Sequence, residues 1–153
     1  MIKIAYFGAL KTRFIKSGVE RYCKWLNPYV NISLIELKSG GDINREQVET
    51  IQKRESVLLL KKLKNEALII LDEGGVEFSS KEFAAMIRNK QITSSELFFA
   101  IGGYTGFHDK VKKSASKMIS LSRMTFTHEM ALLLLIEQIY RSMKIIKGEK
   151  YHY

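Results

Sequence analysis

The sequence predicts an α/β fold with a mostly parallel sheet flanked by helices. Short apolar runs of strand type alternate with longer segments, in which apolar residues recur at helical spacing. Such alternation is typical of layered structures whose helices connect parallel strands. The chain has 153 residues, of which 46% are hydrophobic and 27% charged, so we expect one folded domain, 1–153.

The first three elements follow from this pattern. Ile2–Gly8 and Val30–Leu37 are predicted as strands, because both are apolar and the second is rich in β-branched and leucine residues. Between them, Thr12–Leu26 is predicted as a helix with one apolar face, which ends before Pro28.

A second helix is expected to begin at a cap on Asp42 or Asn44 and to end near Lys64. Its inward face is predicted to consist of Val48, Ile51, Leu58 and Leu59. The remaining elements are predicted as strands Ala67–Leu71, Leu97–Ile101 and Met118–Leu121, and as helices from a capping box at Ser79–Glu82 to Asn89, from Asp109 to Lys117 and from His128 to Ile146.

The last helix is apolar all round over Ala131–Ile136, which predicts full burial. A second subunit is the simplest covering for such a helix. The alternative is burial wholly within its own domain.

Three predicted strands end in loops with glycine or polar residues, at 71–75, 102–106 and 122–127. Ligands of parallel sheets bind outside the carboxyl ends of strands, so these loops predict a small-molecule site built largely from backbone. Residues 102–106, the glycine loop, read Gly-Gly-Tyr-Thr-Gly, and a residue without Cβ permits close approach of a ligand. A plain tight turn is the alternative for this loop.

Several classes of site are excluded by their missing motifs. The chain has no dinucleotide-binding glycine pattern after its first strand, no P-loop and no nucleophile elbow. Its histidines and Cys23 do not stand at zinc-ligand spacing, so we expect no metal. Asp72 and Glu73 are neighbours on an extended chain and should point to opposite faces.

Composition predicts the compartment and the kind of partner. A single cysteine permits no intramolecular disulfide, and no run is long enough to span a membrane or to act as a signal peptide, so we expect a cytoplasmic protein. The formal net charge of +9 favours a polyanion such as nucleic acid. The alternative is a solvated basic surface without a partner.

Five motifs occur together in this chain and give a resemblance to a known family. They are Leu71-Asp72, Ile101-Gly102-Gly103 with Gly106, Leu121-Ser122 through Thr125-Phe126 to His128, Ile136 to Arg141, and Tyr151-His152. With these motifs the chain resembles, over its whole length, the RlmH family of ribosomal RNA large-subunit methyltransferases, within the SPOUT superfamily.

The resemblance implies a homodimer with a deep C-terminal trefoil knot. It also implies that S-adenosylmethionine is the methyl donor and that N3 of a pseudouridine in 23S rRNA of the assembled ribosome is the acceptor. By similarity the donor contacts are Leu71, Gly102, Leu121, Ser122, Arg123, Met124, Thr125 and Phe126.

Removal of a proton from the acceptor nitrogen requires a base, for which His128 and His152 are the candidates. The alternatives are a helix N-cap residue with a packing role for His128 and a disordered tail residue for His152. RNA contacts are expected from Arg141, Lys147 and Tyr151, with pairing of Arg141 to Glu137 as the alternative.

The chain departs from the family at Thr127 and Leu132, where proline and arginine are usual, and at Tyr104-Thr105. The missing arginine weakens the expectation of detailed RNA contacts but leaves the donor pocket unaffected. Two other functions remain open: methylation of another RNA such as tRNA, and binding of RNA or the ribosome without catalysis.

Overall fold

A computed structural model describes residues 1–64, 66–93 and 96–150. Strands and helices alternate along this part of the chain, as the sequence predicts. The elements are β1 Ile2–Phe7, α1 Arg13–Leu26, β2 Ile32–Leu37, α2 Val48–Leu60, β3 Ala67–Glu77, α3 Ser80–Thr93, β4 Leu97–Ile101, α4 Asp109–Ser114, β5 Lys117–Ser120 and α5 His128–Lys147.

The strands form one sheet in the order β2-β1-β4-β3-β5, and all four neighbouring pairs are parallel. The predicted α/β class with a parallel sheet is confirmed. Strand order and register do not test the trefoil knot, which stays a prediction.

Helices cover both faces of the sheet because neighbouring strand residues point to opposite sides. Phe98 and Phe99 illustrate this, since both are fully buried but belong to different core clusters. The cluster that contains Phe99 includes residues of α1, α3 and α5. The cluster that contains Phe98 includes residues of α2 and α4. The two helical layers thus leave the carboxyl ends of the strands as an open edge for loops.

Strand β3 is longer than predicted. Residues 72–75 form an irregularity between Leu71 and Val76, after which β3 resumes pairing with β5. The sequence Asp-Glu-Gly-Gly reads as a turn, but the strand continues because Gly75 allows the two backbones to meet. A Cβ added at Gly75 would lie 2.6 Å from the carbonyl carbon of Ile119.

The sequence pattern predicts a start for α2 that is too early in the chain. The helix begins at Val48 with Gln47 as its N-cap, so the prediction of Asp42 or Asn44 as the cap is wrong. Asp42 instead accepts a hydrogen bond from the Asn44 amide at 2.9 Å, which forms a local turn. Val48 is half exposed rather than inward.

The capping box of α3 is confirmed. The Ser79 hydroxyl accepts from the Glu82 amide at 3.3 Å, and the Glu82 carboxylate accepts from the Ser79 amide at 2.7 Å. The helix runs past Asn89 to Thr93.

Helix α5 packs against α1 and α3 on one face of the sheet. Leu132, Leu135 and Ile136 are fully buried, but Leu133 and Leu134 are only partly buried, so the expectation of burial all round is not met by the single chain. No helix among the described residues is long and apolar enough to cross a membrane.

A side chain at the start of α5 binds the backbone at the start of α1. The carboxylate of Glu129, in the first turn of α5, accepts hydrogen bonds from the amides of Lys11 at 3.2 Å and Thr12 at 3.0 Å. Thr12 is the N-cap residue of α1, so a side chain of α5 satisfies amides at the start of α1.

Candidate active site

The register of the sheet brings three loops together. Leu71 of β3 pairs with Ile101 of β4 on one side and with Ile119 of β5 on the other. Gly102 directly follows Ile101, and Leu121 lies two residues after Ile119. The segments predicted to contact a donor therefore begin at neighbouring positions on one edge of the sheet.

The glycine loop is a tight turn that a side chain of α2 holds in place. The Gly106 amide donates to the Gly103 carbonyl at 3.1 Å. The side-chain amide of Gln52, on α2, donates to the Thr105 carbonyl at 2.5 Å. The loop is thus a turn whose backbone is held in one position at the carboxyl edge of the sheet.

The segment after β5 is shaped by its own polar side chains. The Ser120 hydroxyl donates to the Ser122 carbonyl at 2.8 Å, and the Met124 amide donates to the Ser122 hydroxyl at 3.0 Å. The Thr125 hydroxyl donates to the Glu73 carboxylate at 2.7 Å, which ties this segment to the irregularity of β3. The side chains of Arg123 and Met124 are exposed.

A cavity of about 340 Å³ lies beside these loops, between β5, α3 and α5. Leu121 and Phe126, two of the predicted donor contacts, line it. The other predicted contacts, Leu71, Gly102 and residues 122–125, are not among its lining residues. The rest of the lining is Phe78, Ser80, Phe83, Ile119, Ser120, Leu134 and Gln138.

Buried polar atoms without hydrogen-bond partners gather around the glycine loop. Within the described ranges these atoms are Glu55 Oε2, Thr105 Oγ1 and both ring nitrogens of His128. Thr105 belongs to the loop, and the His128 ring meets the Tyr104 ring edge-to-face at 4.9 Å between centroids. A Cβ on Gly103 would lie 2.8 Å from Glu55 Oε1 and 2.9 Å from Oε2. Because such groups are normally satisfied in folded proteins, their clustering makes this edge of the sheet a candidate ligand site.

A family model described as "Predicted SPOUT methyltransferase" matches residues 1–152. The chain belongs to this methyltransferase family.

Relatives that match the chain over nearly its whole length agree with that membership. The chain is 46% identical over 156 residues to a protein of Kosmotoga olearia named "Ribosomal RNA large subunit methyltransferase H", with 99% of each chain covered. A protein of the same name from Thermodesulfovibrio yellowstonii is 45% identical, with 99% of this chain and 97% of that one covered.

Two solved structures share the fold. A probable methylase family protein from Haemophilus influenzae aligns with a TM-score of 0.55 at 9% identity, covering 99% of this chain and 70% of that one. A probable methyltransferase from Bordetella pertussis aligns with a TM-score of 0.56 at 11% identity, covering 93% of both chains.

In this SPOUT chain His128 is the first residue of α5 and is 8% exposed. Its proposed N-cap role is wrong, because Thr127 is the cap and accepts from the Met130 amide at 3.3 Å. Burial lowers the pKa of His128, the nearby carboxylate of Glu129 opposes this, and Lys11 adds to the lowering. The imidazole is therefore neutral at pH 7 and able to accept a proton.

Glu55 is the residue of this site that the sequence pattern did not reveal. It lies on α2 four residues after Ile51 and four before Leu59, both buried, and is itself 4% exposed. A charged residue in register with an apolar face was the available signal. Burial raises the pKa of Glu55, and the amides of Gly40 and Gly103 oppose the rise.

Of the predicted RNA contacts, Arg141 and Lys147 are not among the residues that line the cavity. Arg141 pairs with Glu137 one turn earlier at 2.6 Å, so the predicted alternative, pairing within the helix, is confirmed. Lys147 is exposed at the end of α5. Tyr151 and His152 lie outside the described residues.

The paired carboxylates diverge, as expected. Asp72 forms an ion pair with Lys112 at 2.8 Å, whereas Glu73 accepts from Thr125. The described part of the chain holds no group of three or more candidate metal ligands.

Proposed function

We propose that this chain is an S-adenosylmethionine-dependent methyltransferase that methylates N3 of a pseudouridine in 23S rRNA of the assembled ribosome. The observation that carries the proposal is the cluster of partnerless buried polar atoms around the glycine loop, at the edge where the three strand ends meet. Membership in the SPOUT methyltransferase family and the shared name of the relatives support the reaction and the RNA class.

The residues of this edge suit an adenosyl ligand. Leu121 and Phe126 supply apolar walls of the cavity. Phe126 is 39% exposed, so the adenine ring of a bound donor can pack against its side chain. Leu71 lies at the end of the regular β3 ladder, and Gly102 and residues 122–125 follow strand ends. Backbone N–H and C=O groups of these segments that have no partner within the chain can hydrogen-bond an adenine edge. S-adenosylmethionine supplies, when bound, a transferable methyl group on a cationic sulfur. Holding it in line with the acceptor can lower the barrier by about 7–11 kcal/mol at the extreme.

The acceptor nitrogen must lose its proton during the transfer. His128 can take it, because its neutral ring has both nitrogens free of partners among the described residues and lies at this edge. Tyr104 covers the ring, so rotation of this exposed tyrosine would open access. His152 is the second candidate base.

We also propose that the chain acts as a homodimer. Leu133 and Leu134 of α5 are only partly buried in a single copy of the chain. A second copy would cover these apolar side chains.

Basic surface would hold the rRNA. The net charge of +9, with Lys147 exposed at the end of α5, favours phosphate contacts that weaken as salt rises. We place Arg141 and Tyr151 in the same RNA contact. Leu132, where the family usually has arginine, is fully buried and cannot join them.

The test is transfer of labelled methyl from S-adenosylmethionine to ribosomes taken from cells that lack this protein, at low salt. Transfer to the 23S rRNA is expected, and the modified position is read by mass spectrometry. Transfer to free tRNA but not to ribosomes would assign another RNA. Absence of S-adenosylmethionine binding in calorimetry, with unchanged function of Gly102→Val in cells, would indicate a non-catalytic binding module.

A further inference from the structure

A buried carboxyl group lies behind the glycine loop and takes no part in the proposed chemistry. Glu55 on α2 is 4% exposed, and its Oε1 accepts from the Gly40 amide at 3.0 Å. The same carboxyl touches the glycine loop, because a Cβ on Gly103 would lie within 2.9 Å of both oxygens. One side chain thus contacts the loop after β2 and the loop after β4.

Neighbouring residues of α2 strengthen this bridge. Gln52 donates to the Thr105 carbonyl at 2.5 Å, and Arg54 donates to the Gly40 carbonyl at 3.0 Å. Strands β2 and β4 lie on either side of β1 in the sheet. About one turn of α2 therefore fixes two loops across the end of β1.

The position of Glu55 is costly for stability alone. Burying a carboxyl group is unfavourable unless its oxygens are satisfied, and Oε2 has no hydrogen-bond partner in the described part of the chain. A leucine would fill an inward helix position between Ile51 and Leu59 without that cost. Contact with the loop backbone is what the carboxyl provides and a leucine would not.

We infer that Glu55 is a positioning residue for methyl-donor binding: it holds the glycine loop, through the backbone at Gly103, in the shape that receives S-adenosylmethionine. This inference rests on the proposed function. In this role Glu55 acts through the backbone of the loop rather than on the reacting atoms.

The test compares Glu55→Leu and Glu55→Gln with a matched control, Glu49→Gln. Glu49 lies on the same helix, is exposed and pairs with Lys53, so its change alters charge without touching either loop. Two quantities are measured: the Kd of S-adenosylmethionine by calorimetry, and hydrogen exchange of the glycine-loop amides without donor.

We expect Glu55→Leu to weaken donor binding by about tenfold or more and to speed exchange across residues 102–106. The KM for ribosomes should not change. Glu55→Gln keeps the acceptor oxygen and the size of the side chain, so it should recover most of the affinity. Glu49→Gln should match the wild-type chain in both measurements.

Unchanged donor affinity and loop exchange in folded Glu55→Leu would overturn the inference and leave Glu55 with a purely structural role. If Glu55→Leu does not fold, Gln52→Leu removes the parallel hydrogen bond to the Thr105 carbonyl and should show the same weaker binding. Unchanged donor affinity and unchanged loop exchange in folded Gln52→Leu would then overturn the inference. A wild-type chain that binds no S-adenosylmethionine refutes the proposed function, and this inference with it. Wild-type binding with unaffected variants refutes only the role of Glu55.

Discussion

Two adjacent glycines in β3 offer a matched pair of substitutions. In Gly75→Ala the new carbon would lie 2.6 Å from the Ile119 backbone, whereas ordinary contact begins at 3.4 Å. Strands β3 and β5 would have to separate by the difference of these distances, about 0.8 Å, because the obstacle is backbone. In Gly74→Ala the nearest atom is a carboxylate oxygen of Asp72 at 3.3 Å, which can move aside.

The separation stretches hydrogen bonds of about 2.9 Å beyond 3.5 Å, so pairing beside the irregularity is lost. Overpacking of this kind costs about 1–3 kcal/mol, which lowers Tm by about 2–12 °C for a chain of this size. Gly74→Ala should stay within about 0.5 kcal/mol of the wild-type chain. Donor binding should weaken only in Gly75→Ala, because Leu121 and Phe126 follow β5.

The assay is calorimetric melting of both variants, followed by S-adenosylmethionine titration at a temperature where both are folded. Equal Tm values for the two variants would refute the close-approach argument. Equal Tm values with weaker binding in Gly74→Ala would show that the irregularity itself, rather than the β3–β5 contact, shapes the site.

Three further outcomes are expected. Ser79→Ala removes the acceptor for the Glu82 amide and should lower the free energy of unfolding by about 1 kcal/mol in urea titration; an unchanged midpoint would contradict the cap. Hydrogen bonding from Lys3 lowers the pKa of Glu66 from 4.5 to about 2, so its contribution to stability is present above pH 4.5 and is lost as the pH falls toward 2. Glu66→Gln should flatten that limb of a stability-against-pH curve, and an unaltered limb would assign acid sensitivity elsewhere. Because burial lowers the pKa of His128, the fall of kcat/KM on the acid side should lie at a lower pH than a free imidazole would give. His128→Asn should abolish most of the activity, and an unaltered pH profile in that variant would leave His152 as the base.

Local patterns were sufficient for most of the fold. The bounds of β4 were predicted to the residue, because an apolar run closed by glycine leaves little choice. The capping box of α3 was equally clear, since its two hydrogen bonds join residues three apart. Such elements are decided by neighbours along the chain.

What the sequence could not reveal depends on distant contacts. Residues 72–75 resemble a turn until β5 is placed against Gly75. Glu55 resembles an exposed helix residue until the loops at Gly40 and Gly103 are placed over it. The loops of the site could therefore be predicted from strand ends, but the side chain that supports them could not.

The two hydrogen bonds that Glu129 accepts from backbone amides have a consequence for folding during synthesis of the chain. Thr12 leaves a translating ribosome 117 positions before Glu129, so the start of the first helix lacks its carboxylate partner until most of the polypeptide has been made. The pairing of β1 with β4 is likewise delayed, and contacts of such long sequence separation slow folding. These two contacts therefore form late in synthesis. A nascent chain truncated before α5 would expose the apolar face on which that helix packs.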